Sequence, residues 1–287
     1  MRFLVTHALP RVSRSQIAAH GVIHLVRPGE GMLGTFRLLA TGEHTSGAYF
    51  ALELEGLPGG PGGAHSHDFE DEAEYVSIGS REIRVDDELV HAPTGSFVLV
   101  PRGSLHDMWT VGSASARYLH LFSPAGIEQW FLERARLRDR GASAEQINAA
   151  RLRHGVRGER TSPPDARPQV AISREGQALV IDGSMTGGAY AIVEIVSTPG
   201  DPPTPPHVHV DSEEAIYVAS GEISITAAGE TYAAPAGTFA LVPRGTVHSH
   251  SYRGEGPARV LLIGSPPSGI GPQPERAGLR VADRAPC

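Results

Sequence analysis

The sequence contains no lysine, so all 25 of its basic residues are arginine. This absence excludes Schiff-base chemistry on a lysine and the lysine-containing phosphate-binding loop. Cysteine is nearly absent too, since the single copy is Cys287. An intrachain disulfide is therefore excluded, and neither a thiolate zinc site nor a cysteine nucleophile is expected.

Two further features are missing: an excess of positive charge and a long apolar run. The net charge is −7, so no basic surface is expected to hold a phosphate backbone, and nucleic acid is not an expected partner. The apolar run at the start is too short for a signal peptide, and no stretch of about 18 apolar residues could cross a bilayer. We therefore expect a soluble, cytoplasmic protein without a membrane partner.

What the sequence does contain is an internal repeat. The 287 residues suffice for about two domains, and residues of one half recur in the other at a fixed separation of 142 positions. Such a fixed period indicates two copies of one structural unit. The matching pairs are His65 and His207, His67 and His209, Glu72 and Glu214, Gly79 and Gly221, Gly95 and Gly237, Pro101 and Pro243, Gly103 and Gly245, and His106 and His248.

Short apolar runs between frequent turns predict an all-β fold, since the 34 glycines and 23 prolines are spread along the chain. Between the repeats, 127–140 has the apolar stripe of an amphipathic helix, and a capping box at Ser143 and Gln146 predicts a second helix ending near His154. We predict an N-terminal barrel at 1–126, a helical segment and linker at 127–168, a C-terminal barrel at 169–270 and a tail at 271–287.

Three histidines and one glutamate recur within each repeat, and strand geometry predicts that they converge. Side chains two residues apart on a strand point to the same face, so His65 and His67 should lie side by side. Imidazole nitrogens with one carboxylate suit divalent Fe, Mn, Ni, Co, Cu or Zn, and not an all-oxygen calcium cage. We therefore predict one divalent transition metal per barrel. The predicted ligands are His65, His67, Glu72 and His106 in the first barrel, and His207, His209, Glu214 and His248 in the second.

These spacings resemble the cupin superfamily. Its first motif reads G-x5-H-x-H-x3,4-E-x6-G and its second reads G-x5-P-x-G-x2-H-x3-N. Both occur twice here, although the first glycine is not retained cleanly in the second half, and Thr110 and Tyr252 replace the final asparagines. The resemblance covers about 240 residues and implies a bicupin, with two tandem double-stranded β-helix (jelly-roll) barrels.

A narrower resemblance concerns quercetin 2,3-dioxygenase-like cupins. It rests on the segments 26–31 (VRPGEG), 40–47 (ATGEHTSG) and 123–133 (SPAGIEQWFLE). The resemblance implies oxidative ring cleavage of a flavonol-like or polyketide-like enol or phenol, with O2 as the second substrate. Exposed strand edges are also compatible with a homodimer.

The two repeats differ at positions expected to face the metal. Glu74 shares a face with Glu72, whereas the second half has Ile216, and Met108 matches His250. We predict that Glu72 acts as general base and that Glu74 is a second catalytic residue. The alternatives for Glu74 are an ion pair with an arginine or a bend that turns it outward. His250 is a partner of the metal ligands, a proton acceptor or an exposed histidine at a strand end. The helix at 127–140 either closes the first barrel as a lid or packs on its exterior.

Three functions agree with these residues. The first is a metal-dependent dioxygenase, with turnover in the first barrel. The second is a non-oxidative isomerase or cyclase of secondary metabolism that uses the metal as a Lewis acid. The third is a bicupin that binds metal without catalysis, because fold alone does not determine function.

Overall fold

The computed structural model describes residues 23–161, 168–172, 179–267 and 280–281. Strands predominate throughout, as the turn-rich sequence predicts. Those of the first half are β1 (His24–Val26), β2 (Met32–Leu33), β3 (Phe36–Ala40), β4 (Phe50–Gly56), β5 (Ser66–His67), β6 (Asp71–Ile78), β7 (Ser80–Val85), β8 (Glu88–Pro93), β9 (Ser96–Val100), β10 (His106–Thr110) and β11 (Ala116–Ser123).

Two helices separate these strands from those of the second half. The connecting elements are α1 (Glu128–Asp139), α2 (Ala144–Arg153), β12 (Val156–Arg157) and β13 (Gln169–Ile172). The second half contains β14 (Val180–Ile181), β15 (Ala191–Ser197), β16 (His207–Val208), β17 (Glu213–Ser220), β18 (Glu222–Ala227), β19 (Glu230–Pro235), β20 (Phe239–Val242), β21 (His248–Arg253), β22 (Ala258–Ser265) and β23 (Arg280–Val281).

Each half forms a barrel from one large sheet and smaller ones. The first barrel combines the order β13-β9-β6-β11-β4-β3-β2 with β10-β7-β8 and the pair β12-β5. The second combines β1-β20-β17-β22-β15-β14 with β19-β18-β21-β16-β23. The prediction of two tandem jelly-roll barrels joined by a short helical segment is confirmed.

The large sheets exchange one strand across the predicted domain boundaries. β1 comes before the first barrel in sequence but pairs with β20 of the second, with His24 opposite Leu241. β13 follows the linker but pairs with β9 of the first barrel, with Gln169 opposite Leu99. The boundaries at 126, 168 and 270 remain a prediction. Three hydrogen-bonded strand pairs join residues on opposite sides of them: β1 with β20, β13 with β9, and β23 of the predicted tail with β16. Most of the predicted tail, 271–287, lies outside the described residues.

The two large sheets pack against each other through their outer faces. Alternating residues on β11 and β22, including Leu119, Leu121, Leu261 and Ile263, belong to one buried apolar cluster. The opposite faces of these strands therefore point into the two barrels, because strand side chains alternate. Glu72 of β6 and Glu214 of β17 share these inner faces, because they lie opposite Phe122 of β11 and Gly264 of β22.

The helical segment forms as predicted, and α1 packs on side chains that point into the first barrel. In the capping box, Gln146 N donates to Ser143 Oγ (3.2 Å) and Ser143 N donates to Gln146 Oε1 (2.9 Å). Phe131 of α1 lies 5.5 Å from the rings of both Phe50 and Phe122. Phe122 lies on the face of β11 that points into the barrel. By packing on this ring, α1 covers that side of the barrel interior. No helix in the described part of the chain is both long and apolar enough to cross a membrane.

Candidate metal centres

Short strands and tight turns bring the histidines of each repeat together. His65 and His106 face each other as an antiparallel bridge, with N–H···O distances of 2.9 and 2.8 Å between their backbones. His67 ends β5, and its carbonyl accepts a hydrogen bond from Gly103 N at 2.7 Å. Gly103 has φ +77°, a conformation that favours glycine. The Pro-Arg-Gly turn therefore fixes the distance between the two histidine-bearing strands.

The predicted ligands of the first barrel form one cluster. One potential donor atom from each of His65, His67, Glu72 and His106 lies within 4.8 Å of all the others. Glu72 Oε2 is 3.0 Å from His67 Nε2 and 3.0 Å from His106 Nε2. His65 is half-buried and the other three residues are buried, so the cluster is most accessible at His65.

The second cluster repeats this arrangement and contains polar atoms that a metal would satisfy. His207, His209, Glu214 and His248 also place their donor atoms within 4.8 Å of one another. Glu214 Oε1 and His248 Nε2 lie 3.4 Å apart, and both are buried without a hydrogen-bond partner among the described residues. Since buried polar atoms are normally satisfied, a cation between them fits. Each barrel thus contains a His/Glu cluster suited to metal binding.

Backbone carbonyls orient several of the imidazoles, a feature not readable from the sequence. Nδ1 of His106 lies 2.9 Å from the Ser104 carbonyl oxygen, and Nδ1 of His248 lies 2.9 Å from that of Thr246. His207 makes the equivalent contact at 2.9 Å and His65 at 3.3 Å. A proton on Nδ1 leaves the Nε2 lone pair free for a metal.

The surroundings of both clustered carboxylates lower their pKa values and so favour the ionised form. Burial by itself would raise the pKa of Glu72, but hydrogen bonds from His106, His120 and His67 outweigh burial and hold this pKa well below its usual range. Burial likewise opposes ionisation of Glu214, whose pKa is nevertheless lowered by His209 and His248. Each cluster therefore presents one negative charge to a cation.

Sequence reasoning missed His120, which was given no role at the metal site. This buried residue of β11 lies between two carboxylates, with Nδ1 2.8 Å from Glu72 Oε1 and Nε2 2.8 Å from Glu74 Oε2. Burial would lower the pKa of His120, but hydrogen bonds to the two carboxylates raise it to about 9. The sequence did contain a signal for His120. This polar residue of the first half matches the apolar Leu262 of the second half, just as Glu74 matches Ile216.

Glu74 forms an ion pair with an arginine, which is one of the alternatives considered for it. Arg81 Nε donates to Glu74 Oε1 at 2.9 Å, and Arg81 Nη2 donates to Oε2 at 3.1 Å. The same guanidinium donates to Thr110 Oγ1 at 3.1 Å and lies 3.9 Å from the centroid of the Tyr118 ring. Burial would raise the pKa of Glu74, but His120 and Arg81 lower it. Glu74 is thus separated from the candidate ligands by His120.

His250 is buried, not exposed at a strand end. Its Nε2 lies 2.9 Å from Thr204 Oγ1, and its carbonyl oxygen accepts a hydrogen bond from Thr204 N at 2.9 Å. Its Nδ1 is buried without a hydrogen-bond partner in the described part of the chain. His250 therefore ties the proline-rich segment before His207 to β21.

Fold and site together define a two-barrel protein with a candidate metal centre inside each barrel. A family model described as the cupin domain matches the chain twice, at residues 54–122 and 193–264. Each match contains one complete cluster. The chain is a bicupin of the cupin superfamily.

Comparison with solved structures finds the same architecture in oxalate decarboxylases. One such structure shares 17% identity over 82% of this chain and 73% of its own, with a TM-score of 0.56. An arginine-to-alanine variant of oxalate decarboxylase from Bacillus subtilis shares 17% identity over 88% and 74%, with a TM-score of 0.55. At such identities the likeness concerns the fold. A search of curated proteins by sequence found no match.

Proposed function

We propose that this bicupin is a metal-dependent dioxygenase that oxidatively cleaves a flavonol-like or polyketide-like enol or phenol, with turnover in the first barrel. The observation that carries the proposal is the first cluster itself. It combines an ionised carboxylate, Glu72, with three imidazoles and is accessible at the half-buried His65.

The metal ligands in this proposal are the eight clustered residues, four per barrel. The donor set of nitrogen and one oxygen suits divalent Fe, Mn, Ni, Co, Cu or Zn. A divalent ion held there would supply Lewis acidity, lowering the pKa of an enol or phenol hydroxyl bound beside it.

In this proposal the chain's own residues take up the proton and exclude water. Glu72 would loosen from the metal and receive the proton from the substrate hydroxyl at Oε2, the oxygen that faces the imidazoles, while His120 donates a hydrogen bond to Oε1. Phe122 lies 5.5 Å from the His67 ring and is covered by Phe131 of α1, so the cluster has an apolar wall on this side. Exclusion of water there strengthens the electrostatic contacts of the site.

Support for oxygen chemistry comes from the segments that resemble quercetin 2,3-dioxygenase-like cupins. Two of them meet in space, because Glu128 of α1 accepts hydrogen bonds from Gly42 N (3.1 Å) and Gly126 N (2.6 Å). Ala125 N also donates to the Gly47 carbonyl at 3.0 Å. The two segments that carry the resemblance therefore contact each other beside the first barrel.

Metal analysis combined with an oxygen electrode tests this function. The protein is purified without chelator or affinity tag and supplied with flavonols and naphthoquinone-like enols, with oxalate as the comparison suggested by the structural neighbours. We expect bound divalent metal and O2 consumption with an enolic substrate. An unchanged rate under strict anaerobiosis would instead indicate an isomerase or cyclase. Protein purified without any bound metal would contradict the metal-dependent proposal and favour a binding or storage role without chemistry.

A further inference from the structure

We propose that His120, anchored by Glu74 and Arg81, is a positioning residue that holds Glu72 so that a single carboxylate oxygen faces the metal. The inference rests on the metal site proposed for the first barrel and extends it beyond the ligands. It assigns a role to three buried side chains that bind no metal in that proposal.

The geometry divides the two oxygens of Glu72 between two partners. Oε2 lies 3.0 Å from the Nε2 atoms of both His67 and His106, whereas Oε1 lies 2.8 Å from His120 Nδ1. A carboxylate whose second oxygen is hydrogen-bonded in this way is restrained from rotating. Its first oxygen therefore stays directed at the imidazoles.

His120 is itself fixed from the far side. Its Nε2 lies 2.8 Å from Glu74 Oε2, and Glu74 is held by two hydrogen bonds from Arg81. A paired Arg–carboxylate contact of this kind gives geometric specificity as well as energy. The chain of contacts thus reaches a guanidinium on the neighbouring sheet, at β7, which is itself held by Thr110 Oγ1.

The second barrel shows that the fold does not need this network. His120 lies opposite Glu74 in the register of β11 and β6, and Leu262 lies opposite Ile216 in the register of β22 and β17. Ile223 occupies the position that matches Arg81. All three replacements are apolar. Glu214 Oε1 accordingly has no counterpart of His120: it lies 3.4 Å from His248 Nε2 of the cluster and has no hydrogen-bond partner among the described residues.

This difference between the two barrels indicates that the network serves the metal site and not the stability of the fold. Replacing a buried ionic network by apolar residues is often neutral or stabilising, whereas removing one partner leaves an uncompensated charge. The first barrel therefore retains a costly network where the second has an apolar one. The one feature that this network adds to the first barrel is a fixed position for the second carboxylate oxygen of Glu72, Oε1.

The test uses full-length protein with the second site disabled by His207→Ala, so that one site is measured. In this background we compare His120→Leu with the triple variant His120→Leu, Glu74→Ile, Arg81→Ile, which reproduces the second barrel without an unpaired charge. Binding of Co2+ is measured by competition with a chromogenic chelator, together with the visible absorption spectrum of the bound ion. We expect about 10- to 100-fold weaker binding and a changed spectrum, because the freed carboxylate alters the coordination of the ion.

The matched control is Leu262→Met in a His65→Ala background, where we expect unchanged affinity at the second site. Thermal unfolding of each metal-free variant checks the fold, and the triple variant should be no less stable than its parent. A folded triple variant with the parent's affinity and spectrum would overturn the inference. If Co2+ binding responds as expected but no enolic substrate consumes O2, the inference stands and the proposed oxidation fails.

Discussion

Glu72 and Glu74 are two buried carboxylates on one face of one strand, and their different neighbours indicate different roles. Glu72 faces imidazoles of the candidate metal centre, so it is available to a cation or to an acidic substrate. Glu74 faces Arg81, whose full charge already balances it. Burying a carboxylate is costly unless it is paired, and each residue meets that requirement in a different way. In the proposed mechanism the substrate proton is therefore expected to move to Glu72, whereas Glu74 acts through His120.

Glu72→Gln and its counterpart Glu214→Gln form a matched pair for testing this assignment. We expect Glu72→Gln to retain some metal but to slow turnover by about 100-fold or more, because the amide cannot accept the substrate proton. Glu214→Gln should leave the rate within a few-fold of the parent. The measurements are initial rates with the substrate found on the oxygen electrode and metal content by elemental analysis.

Either of two results would contradict this prediction. Wild-type kinetics in Glu72→Gln would remove that carboxylate from the mechanism. An equal loss in Glu214→Gln would show that the second barrel also turns over substrate.

The clustering of the candidate ligands was predictable from sequence, while the residues that contact them were not. His65, His67, Glu72 and His106 stand out because a second copy repeats their spacing, and alternation along a strand predicts a shared face. His120 belongs to no motif, and its contact with Glu72 depends on how β11 aligns with β6. That register is a property of the assembled sheet. The carbonyl groups that orient the imidazoles are invisible for a similar reason, since every residue has one.

At the scale of elements, local signals predicted local structure. The capping box fixed the start of α2 at Ala144, and Gly155 with φ +73° follows its end. A side chain at Gly155 would place its Cβ 2.7 Å from the Phe69 ring, so this position also needs the small residue. The pairing of β1 and β13 with the opposite barrels carried no local signal. The sequence of a short apolar strand indicates that it pairs with another strand, but it does not determine which strand that is.

The exchanged strand β1 carries a histidine contact that should make stability depend on pH. His24 stacks on His44 of the neighbouring turn, with ring centroids 3.9 Å apart. Burial, followed by the charge that His24 would carry, lowers the pKa of His44 to about 4. In the unfolded chain histidine titrates near 6.5. Between these values only the unfolded state binds the proton, so stability falls as the pH drops from about 6.5 to about 4.

We predict that His44→Asn reduces this loss of stability on acidification. At pH 8 the variant should be somewhat less stable than the parent, because it lacks the stacking contact. Between pH 6.5 and pH 4 the two should converge, since the variant has one proton-binding group fewer. The measurement is the midpoint of urea unfolding at several pH values, with the difference at pH 8 as the internal baseline. Parallel curves down to pH 4 would show that this stack contributes nothing to the pH dependence.

At the scale of the whole molecule, the two barrels are joined by reciprocal contacts. Tyr75 of the first barrel donates to Glu194 Oε2 of the second at 2.7 Å, and Tyr217 of the second donates to Glu53 Oε2 of the first at 2.6 Å. Both tyrosines are fully buried, so these bonds lie within the shared apolar cluster. Separating the barrels would expose that cluster and leave the glutamates without their tyrosine partners. The two repeats of the sequence thus form one structure with a shared apolar cluster, not two independent barrels.

This leads to a prediction for the separated halves. Residues 1–168 lack β13, and residues 169–287 lack β1, so each half would lose a strand from its large sheet as well as its apolar contact face. Unsatisfied strand edges and exposed apolar surface promote aggregation. We expect each half expressed alone to be insoluble or to lack cooperative unfolding, and co-expression to restore a soluble complex.

The matched control is the whole chain with a protease site inserted between Thr161 and Pro168 and cut after folding. This nicked protein should elute as one species in gel filtration, because the exchanged strands still connect the barrels. A second half that unfolds cooperatively on its own would show that β1 and the contact between barrels are dispensable.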